Sequence, residues 1–130
     1  MMTENKKGGI RIVLADDQPI IRQGLKYMIS MQPDMEVVGE AGNGEEAVAV
    51  VNSIRPDLVL MDIQMPGRSG IEATRDIIKQ NPETKIILLT TFDIQEYVAD
   101  GIRAGAIGYL LKDSDTQALL EGIRSVHRGA

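Results

Sequence analysis

The sequence predicts an α/β fold in which one parallel sheet of five strands carries helices on both faces. Five short apolar segments alternate along the chain with five longer segments whose apolar residues recur at helical spacing. The connections between them are short and contain Pro, Gly, Asn or Asp. Strict alternation with short connections is typical of βα units that wind into a covered parallel sheet.

The predicted strands are largely apolar segments of five to seven residues, a usual strand length. The third and fourth are apolar enough to be buried on both faces of the sheet. The second is more polar, so we expect it at an edge. The predicted bounds are Ile10–Ala15, Met35–Ala41, Leu58–Asp62, Lys85–Thr90 and Ala106–Leu111.

The predicted helices are delimited by capping residues and by helix breakers. Pro19 suits the first turn of a helix, and Gly105 suits the position just after a helix end. Asn81-Pro82 ends the third helix, which starts at Ser69 or Gly70. The other helices are expected from Gln18 to Met31, Glu45 to Ile54, Ile94 to Ala104, and from a Ser114 or Asp115 cap to about His127.

Composition restricts the classes of function. The chain has 130 residues, 43% of them hydrophobic, and a formal net charge of −5. An acidic chain of this kind is unsuited to direct binding of nucleic acid or anionic membranes. The absence of cysteine excludes disulfides, thiolate catalysis and cysteine metal ligands.

Targeting signals are also missing from the sequence. No apolar run approaches the roughly 18 residues needed to span a membrane. Residues 1–9 carry charges but no apolar core of a secretory signal. We therefore expect a cytoplasmic protein with a flexible segment at residues 1–9.

Polar side chains follow four of the five predicted strands where each strand ends. Asp16 and Asp17 follow the first strand, Asp62 closes the third, Thr90 closes the fourth, and Lys112 follows the fifth. Parallel strands place their carboxyl ends at one edge of the sheet, and open α/β sheets bind ligands there. We therefore expect these side chains to lie together.

The residue types at this edge indicate phosphoryl-transfer chemistry. Three carboxylates in one crevice repel, so one is protonated or a cation neutralises them. Oxygen ligands without Cys or clustered His favour Mg²⁺. An Asp can act as the nucleophile and form an aspartyl phosphate. Lys112 and the metal would neutralise charge on the transferred group.

The motifs around these residues resemble the receiver domains of two-component response regulators, over essentially Ile10 to His127. The sequence Met-Asp-Ile-Gln-Met-Pro-Gly at residues 61–67 resembles the segment around the phosphoacceptor. The acidic pair of the family corresponds to Asp16 and Asp17, its phosphoacceptor to Asp62, its switch hydroxyl to Thr90, its switch aromatic to Tyr109, and its lysine to Lys112.

Finer features are similar to the LuxR-type (NarL/FixJ) subfamily. They include Ala-Asp-Asp-Gln-Pro at residues 15–19, Arg-Gln-Gly-Leu at 22–25, Leu-Thr-Thr-Phe-Asp at 89–93 and Gly-Tyr-Leu-Leu-Lys-Asp at 108–113. Many receivers have a proline directly after the lysine. This chain has Asp113 at that position, which matches the LuxR-type subfamily. The resemblance implies a flavodoxin-like, doubly wound sheet of strand order 2-1-3-4-5, with residues 10–128 as the receiver domain.

The resemblance also implies individual roles. Asp17 would bind Mg²⁺ directly and Asp16 through water, with Asp62 and the backbone carbonyl of Gln64 as further ligands. Gln64 and Phe92 stand at positions that tune the lifetime of the phosphate in the family. Such a domain is not a conventional enzyme: it catalyses phosphoryl transfer to itself and dephosphorylates slowly.

The implied partners follow from the same resemblance. A sensor histidine kinase would supply the phosphoryl group, and phosphorylation would favour a homodimer. DNA would be bound only through an output domain, which LuxR-type regulators carry beyond a segment such as this one. No membrane partner is expected.

Several alternatives stay open at the level of sequence. A stand-alone receiver is one. A Mg²⁺-dependent phosphohydrolase of haloacid-dehalogenase type would need a second Asp where Gln64 stands, and a flavodoxin-like cofactor binder would need a glycine-rich loop instead of Asp16-Asp17. Thr90 is also compatible with a plain strand end, and Tyr109 with core filling.

Overall fold

The structure is a computed structural model that describes residues 9–91 and 95–129, without the side chains of residues 95–97. The expectation of a flexible segment at residues 1–9 and the position of Phe92 lie largely or wholly outside the described residues. Within the described part of the chain, no helix is both long and apolar enough to cross a membrane.

The five predicted strands form one parallel sheet. Its order is β2-β1-β3-β4-β5, as the resemblance implied, and the polar strand β2 lies at an edge as expected. The strands are β1 (Ile10–Ala15), β2 (Met35–Ala41), β3 (Leu58–Asp62), β4 (Lys85–Thr90) and β5 (Gly108–Leu111).

One strand boundary was wrong. We expected β5 to start at Ala106, but it starts at Gly108. The amide of Ala106 still donates to the carbonyl of Gly101 in the preceding helix, so it is not available to a neighbouring strand. The amide of Ile107 makes the first bond to β4, through the carbonyl of Ile86.

The helices agree with the predicted ones to within about one residue at most ends, the usual ambiguity of helix boundaries. The predicted start of the fourth helix at Ile94 lies outside the described residues. The helices are α1 (Pro19–Ser30), α2 (Gly44–Ile54), α3 (Gly70–Gln80), α4 (Gln95–Ala104) and α5 (Thr116–Arg128).

Local capping chemistry fixes where the helices begin. Gln18 is extended and precedes Pro19, so α1 starts one residue later than expected. Asn43 caps α2, Ser69 forms a capping box at the start of α3, and Asp115 caps α5. Each side chain satisfies a backbone amide that has no partner within its helix.

Apolar side chains cover both faces of the sheet. Successive residues of a strand point to opposite faces, so β1, β3 and β4 supply both layers. On one face the strands pack against α2 and α3, and on the other against α1 and α5. The central buried strand residues of the two faces are Val13, Val59, Met61, Ile86 and Leu88, and Ile12, Leu14, Leu58, Leu60, Ile87 and Leu89.

Two packed layers hold the central strands rigidly. Each fully buried Leu or Ile side chain contributes about 1.5–3 kcal/mol relative to exposure. The carboxyl ends of β1, β3 and β4 therefore lie at defined positions along one edge of the sheet. The backbone that carries the polar residues at this edge is therefore rigid.

Candidate functional site

The structure brings four of the predicted residues together. Ligand atoms of Asp16, Asp17 and Asp62 all lie within 4.8 Å of one another. Lys112 Nζ lies 3.0 Å from Asp16 Oδ2 and 3.1 Å from Asp62 Oδ2. Chain segments far apart in sequence thus meet at the carboxyl edge of the sheet, as parallel strands require.

Asp16 is the most deeply buried member of the group, with no exposed surface. Its Oδ1 accepts the amide of Gln18 at 2.9 Å, and its own amide donates to the carbonyl of Ala41. Its Oδ2 is buried without a hydrogen bond. Lys112 approaches that oxygen as an ion pair but from a direction unsuited to a hydrogen bond, so Oδ2 keeps capacity for another ligand.

Asp62 closes β3 and is almost completely buried. Its Oδ2 accepts a hydrogen bond from Lys112, and its Oδ1 accepts a long one, 3.3 Å, from the amide of Gln64. Burial raises the pKa of Asp62 above its ordinary value, and the charge of Asp16 adds to the rise. Lys112 lowers the pKa of Asp62, but not enough to cancel this rise. The folded protein therefore disfavours the ionised form of Asp62.

Lys112 is positioned by the sheet itself. Its backbone amide donates to the carbonyl of Thr90 at 2.8 Å, which continues the pairing of β4 with β5 by one residue. Burial by itself would lower the pKa of Lys112, but the interactions of its ammonium group with the carboxylates of Asp16 and Asp62 outweigh this effect and raise the pKa. The ammonium group is therefore a fixed positive charge at neutral pH.

The raised pKa of Asp62 predicts a pH-dependent gain in stability on substitution. A carboxyl whose pKa is higher in the fold than in the unfolded chain disfavours folding once it ionises. Without Mg²⁺, Asp62→Asn is expected to be more stable than the wild type at neutral pH. As the pH falls through the folded pKa toward the ordinary carboxyl value, that advantage should shrink.

Urea unfolding of the metal-free proteins across this pH range measures the effect. If the wild type is more stable than Asp62→Asn at neutral pH, that result contradicts the raised pKa of Asp62. Asp113→Asn is the control, because Asp113 is exposed and follows Lys112 directly in the chain.

Thr90 and Tyr109 occupy neighbouring strands. In the sheet register Asp62 lies opposite Leu89, so buried Thr90 comes one residue beyond Asp62 at the same edge. Tyr109 lies on the edge strand β5 and is 40% exposed. The alternative in which Tyr109 fills the core is wrong, because a side chain that fills the core would be buried.

Gln64 and Asp17 line a cleft beside the carboxylates. Both are exposed, and the cleft has a volume of about 400 Å³. Its other walls are largely apolar and come from the β3–α3 connection and the first turn of α3, namely Ile63, Met65, Ser69 and Ile71. The carboxylates therefore border space that a phosphate-bearing group can enter.

The group of three carboxylates suits a hard divalent cation. All available side-chain ligands are oxygen atoms, and one of them, Asp16 Oδ2, is buried without a hydrogen bond. Mg²⁺ typically takes one or two carboxylates and keeps several waters. The exposed Asp17 and the adjoining cleft leave room for those waters.

Comparison with known proteins agrees with this geometry. Residues 12–124 match the model of the response regulator receiver domain family. The chain belongs to this family. Receiver domains bind Mg²⁺ at an acidic pocket, and Asp16, Asp17 and Asp62 form such a pocket here. The match decides against the phosphohydrolase and the cofactor binder.

Relatives and solved structures place the chain among LuxR-type response regulators. It is 54% identical over 95% of its length to the transcriptional regulatory protein YxjL of Bacillus subtilis, covering 56% of that protein. A LuxR-family response regulator from Aurantimonas sp. is 36% identical with a TM-score of 0.89, covering 93% of this chain and 86% of that one. The receiver domain of NarL from Mycobacterium tuberculosis is 30% identical with a TM-score of 0.90, covering 94% and 98%.

This receiver domain spans just over half the length of the curated relatives that it matches. What those longer proteins do as a whole is therefore a matter for proposal.

Two residues that support the site were not assigned a role there from sequence, although Arg22 belongs to the Arg-Gln-Gly-Leu segment that resembles the LuxR-type subfamily. Gly70, the first residue of α3, packs against the backbone of Asp62, and Arg22 of α1 donates to the carbonyl of Asp16. Arg22 stands in the first turn of α1, six residues after Asp16, a proximity that could have indicated its role. The contact of Gly70 has no comparable signal in the sequence.

Proposed function

We propose that this receiver domain is a phosphorylation-dependent switch in which Asp62 accepts a phosphoryl group from a sensor histidine kinase. The observation that carries the proposal is the ion pair between Lys112 and Asp62, set within a cluster of three carboxylates. A carboxylate held next to a fixed ammonium group and a cation site can receive a phosphoryl group whose negative charge is balanced by neighbouring positive charge.

Each residue has a task in the transfer. A carboxylate oxygen of Asp62 attacks the phosphorus while the bond from phosphorus to the donor nitrogen or oxygen breaks, so the total charge is conserved. Lys112 stabilises the charge on the transferred oxygens. Asp17, Asp16 through water, Asp62 and the Gln64 carbonyl would hold Mg²⁺, which neutralises charge on the phosphoryl oxygens when bound.

The domain acts on itself rather than on a substrate pool. Phosphoryl transfer is catalysed by the acceptor's own residues, and slow autodephosphorylation resets the switch. Gln64 lies next to the cleft, where its side chain can orient or exclude water. This position supports a role for Gln64 in setting the phosphate lifetime, alongside the role expected for Phe92.

Phosphorylation would alter a surface on the β5 side of the sheet. The new charge of about −1.5 to −2 favours a state in which Thr90 contacts the phosphoryl group and Tyr109 turns inward. Exposed Ile102 and Ile107 lie near Tyr109 in sequence and supply apolar surface at α4 and its exit. We propose that the α4–β5–α5 surface or a homodimer interface changes as a result.

The role of the longer protein follows from its relatives. Residues 10–128 would be the receiver part of a transcriptional regulator that binds DNA through an output domain and works in the cytoplasm. A stand-alone receiver is the second candidate, and the gene sequence downstream of codon 130 distinguishes the two.

Incubation with Mg²⁺ and acetyl phosphate tests the function. Intact-mass measurement is expected to show one added phosphoryl group on the wild type and none after chelation of Mg²⁺. Asp62→Asn should remain unlabelled. Asp113→Asn, which removes an exposed carboxylate near the site, should label like the wild type. Full labelling of Asp62→Asn would contradict the assignment.

A further inference from the structure

We infer that Arg22 is a positioning residue for the metal site, acting through the backbone of the acidic pair. This role rests on the proposed function, because it concerns how the site binds Mg²⁺. Arg22 lies in the first turns of α1, and its side chain is 21% exposed. Its Nη1 donates to the backbone carbonyl of Asp16. The guanidinium thus contacts the acidic loop without being a ligand.

The contacted carbonyl has a special place in the chain. It belongs to the peptide group that joins Asp16 to Asp17. Because a peptide group is planar, fixing its carbonyl also fixes the amide of Asp17 and the direction in which the chain leaves toward that residue. Arg22 therefore orients both metal-binding aspartates through one hydrogen bond.

The other end of the guanidinium is anchored. Arg22 Nε lies 3.3 Å from Glu40 Oε1 at the end of β2, and Lys26 Nζ lies 3.1 Å from Glu40 Oε2. The hydrogen bond from Lys26 lowers the pKa of Glu40, and Arg22 contributes to the same effect. Glu40 is therefore an ionised anchor at neutral pH. An Arg fork is well suited to bridge a carboxylate and a carbonyl in this way.

Two effects of Arg22 on Mg²⁺ binding have opposite signs. Its positive charge near the site repels a cation. Its hydrogen bond orders the loop before the metal arrives, which reduces the ordering cost of binding. Because Glu40 neutralises the guanidinium, we expect the ordering effect to dominate. Removal of Arg22 should therefore weaken Mg²⁺ binding, whereas a purely electrostatic role would strengthen it.

The experiment is an NMR titration of the amide shifts of residues 15–18 with MgCl₂. For Arg22→Gln, the dissociation constant is expected to rise about 10-fold, a usual effect of losing a contact that orients a metal ligand. Lys26→Gln is the matched control. Like Arg22→Gln, it removes one positive charge and one partner of Glu40, but it leaves the hydrogen bond to the Asp16 carbonyl in place. Its dissociation constant should change by less than about twofold.

The outcomes separate the possible failures. Unchanged or tighter binding in Arg22→Gln, with normal binding by the wild type, would overturn the positioning role and leave the proposed function intact. An equal loss in Lys26→Gln would overturn it as well, because the loss would then not depend on the hydrogen bond to the Asp16 carbonyl. A wild type that binds no Mg²⁺ would overturn both. If Arg22→Gln does not fold, Arg22→Lys serves instead. Its affinity for Mg²⁺ is expected to fall by less than about 10-fold, and an affinity equal to that of the wild type would overturn the positioning role.

Discussion

Lys112→Ala is expected to lower the rate of phosphorylation at Asp62 by about 10²–10³-fold, the usual effect of removing one group that stabilises transferred charge. Lys112 is the only side chain for which an ion pair to Asp62 is recorded among the described residues. Its loss removes a charge that is fixed by two carboxylates. Initial rates with acetyl phosphate at saturating Mg²⁺ measure the effect by intact mass.

The same variant is expected to change Mg²⁺ binding in the opposite direction. Removing a positive charge 3.0 Å from Asp16 relieves repulsion of the incoming cation, so Mg²⁺ should bind more tightly. Slower chemistry together with tighter metal binding distinguishes a role in transfer from a collapse of the site. Lys79→Ala, an exposed substitution on α3, is the control. A Lys112→Ala rate equal to the wild type would contradict the assigned role.

Gly70→Ala is expected to destabilise the fold by about 3 kcal/mol, the upper part of the range for forced overpacking. A Cβ at residue 70 would lie 2.0 Å from the carbonyl oxygen of Asp62 and 2.9 Å from its carbonyl carbon. These are backbone atoms, so no side-chain rotation relieves the clash. Either α3 or the end of β3 must shift, and Asp62 shifts with it.

Urea unfolding measures the loss, and labelling with acetyl phosphate reports the displacement of Asp62. Gly24→Ala is the matched control, since a Cβ there meets nothing within 4 Å. It lies inside α1, where Ala is favoured over Gly by about 1 kcal/mol, so this control should be more stable than the wild type. Equal stability of Gly70→Ala and the wild type would show that the backbone yields easily at this point.

The sheet was predictable because its signals are local. The strands Leu58–Asp62 and Lys85–Thr90 each contain four consecutive apolar residues and are separated from their neighbours by strong breakers, so their bounds were correct. The start of β5 was wrong because apolar Ala106 is equally compatible with a strand and with a helix exit. The competing bond from its amide to Gly101 depends on tertiary geometry and has no sequence signature.

The core of the site was predictable for a topological reason. Once the strands are parallel, Asp16, Asp62 and Lys112 must emerge at one edge, whatever their separation in sequence. What holds them there was not predictable. The ion pair that anchors Arg22 and the close approach of Gly70 to Asp62 depend on how α1 and α3 sit against the sheet. Exposed Tyr109 likewise required the packing of β5 to be known.

The central claim is that Asp62 carries the phosphoryl group, and locating the modified residue tests it most directly. Borohydride reduces an aspartyl phosphate to homoserine, which survives proteolysis and can be placed by tandem mass spectrometry. After treatment with Mg²⁺, acetyl phosphate and borohydride, we predict homoserine at position 62 and unchanged aspartate at positions 16 and 17. Homoserine at position 16 or 17, with intact aspartate at position 62, would contradict the central claim.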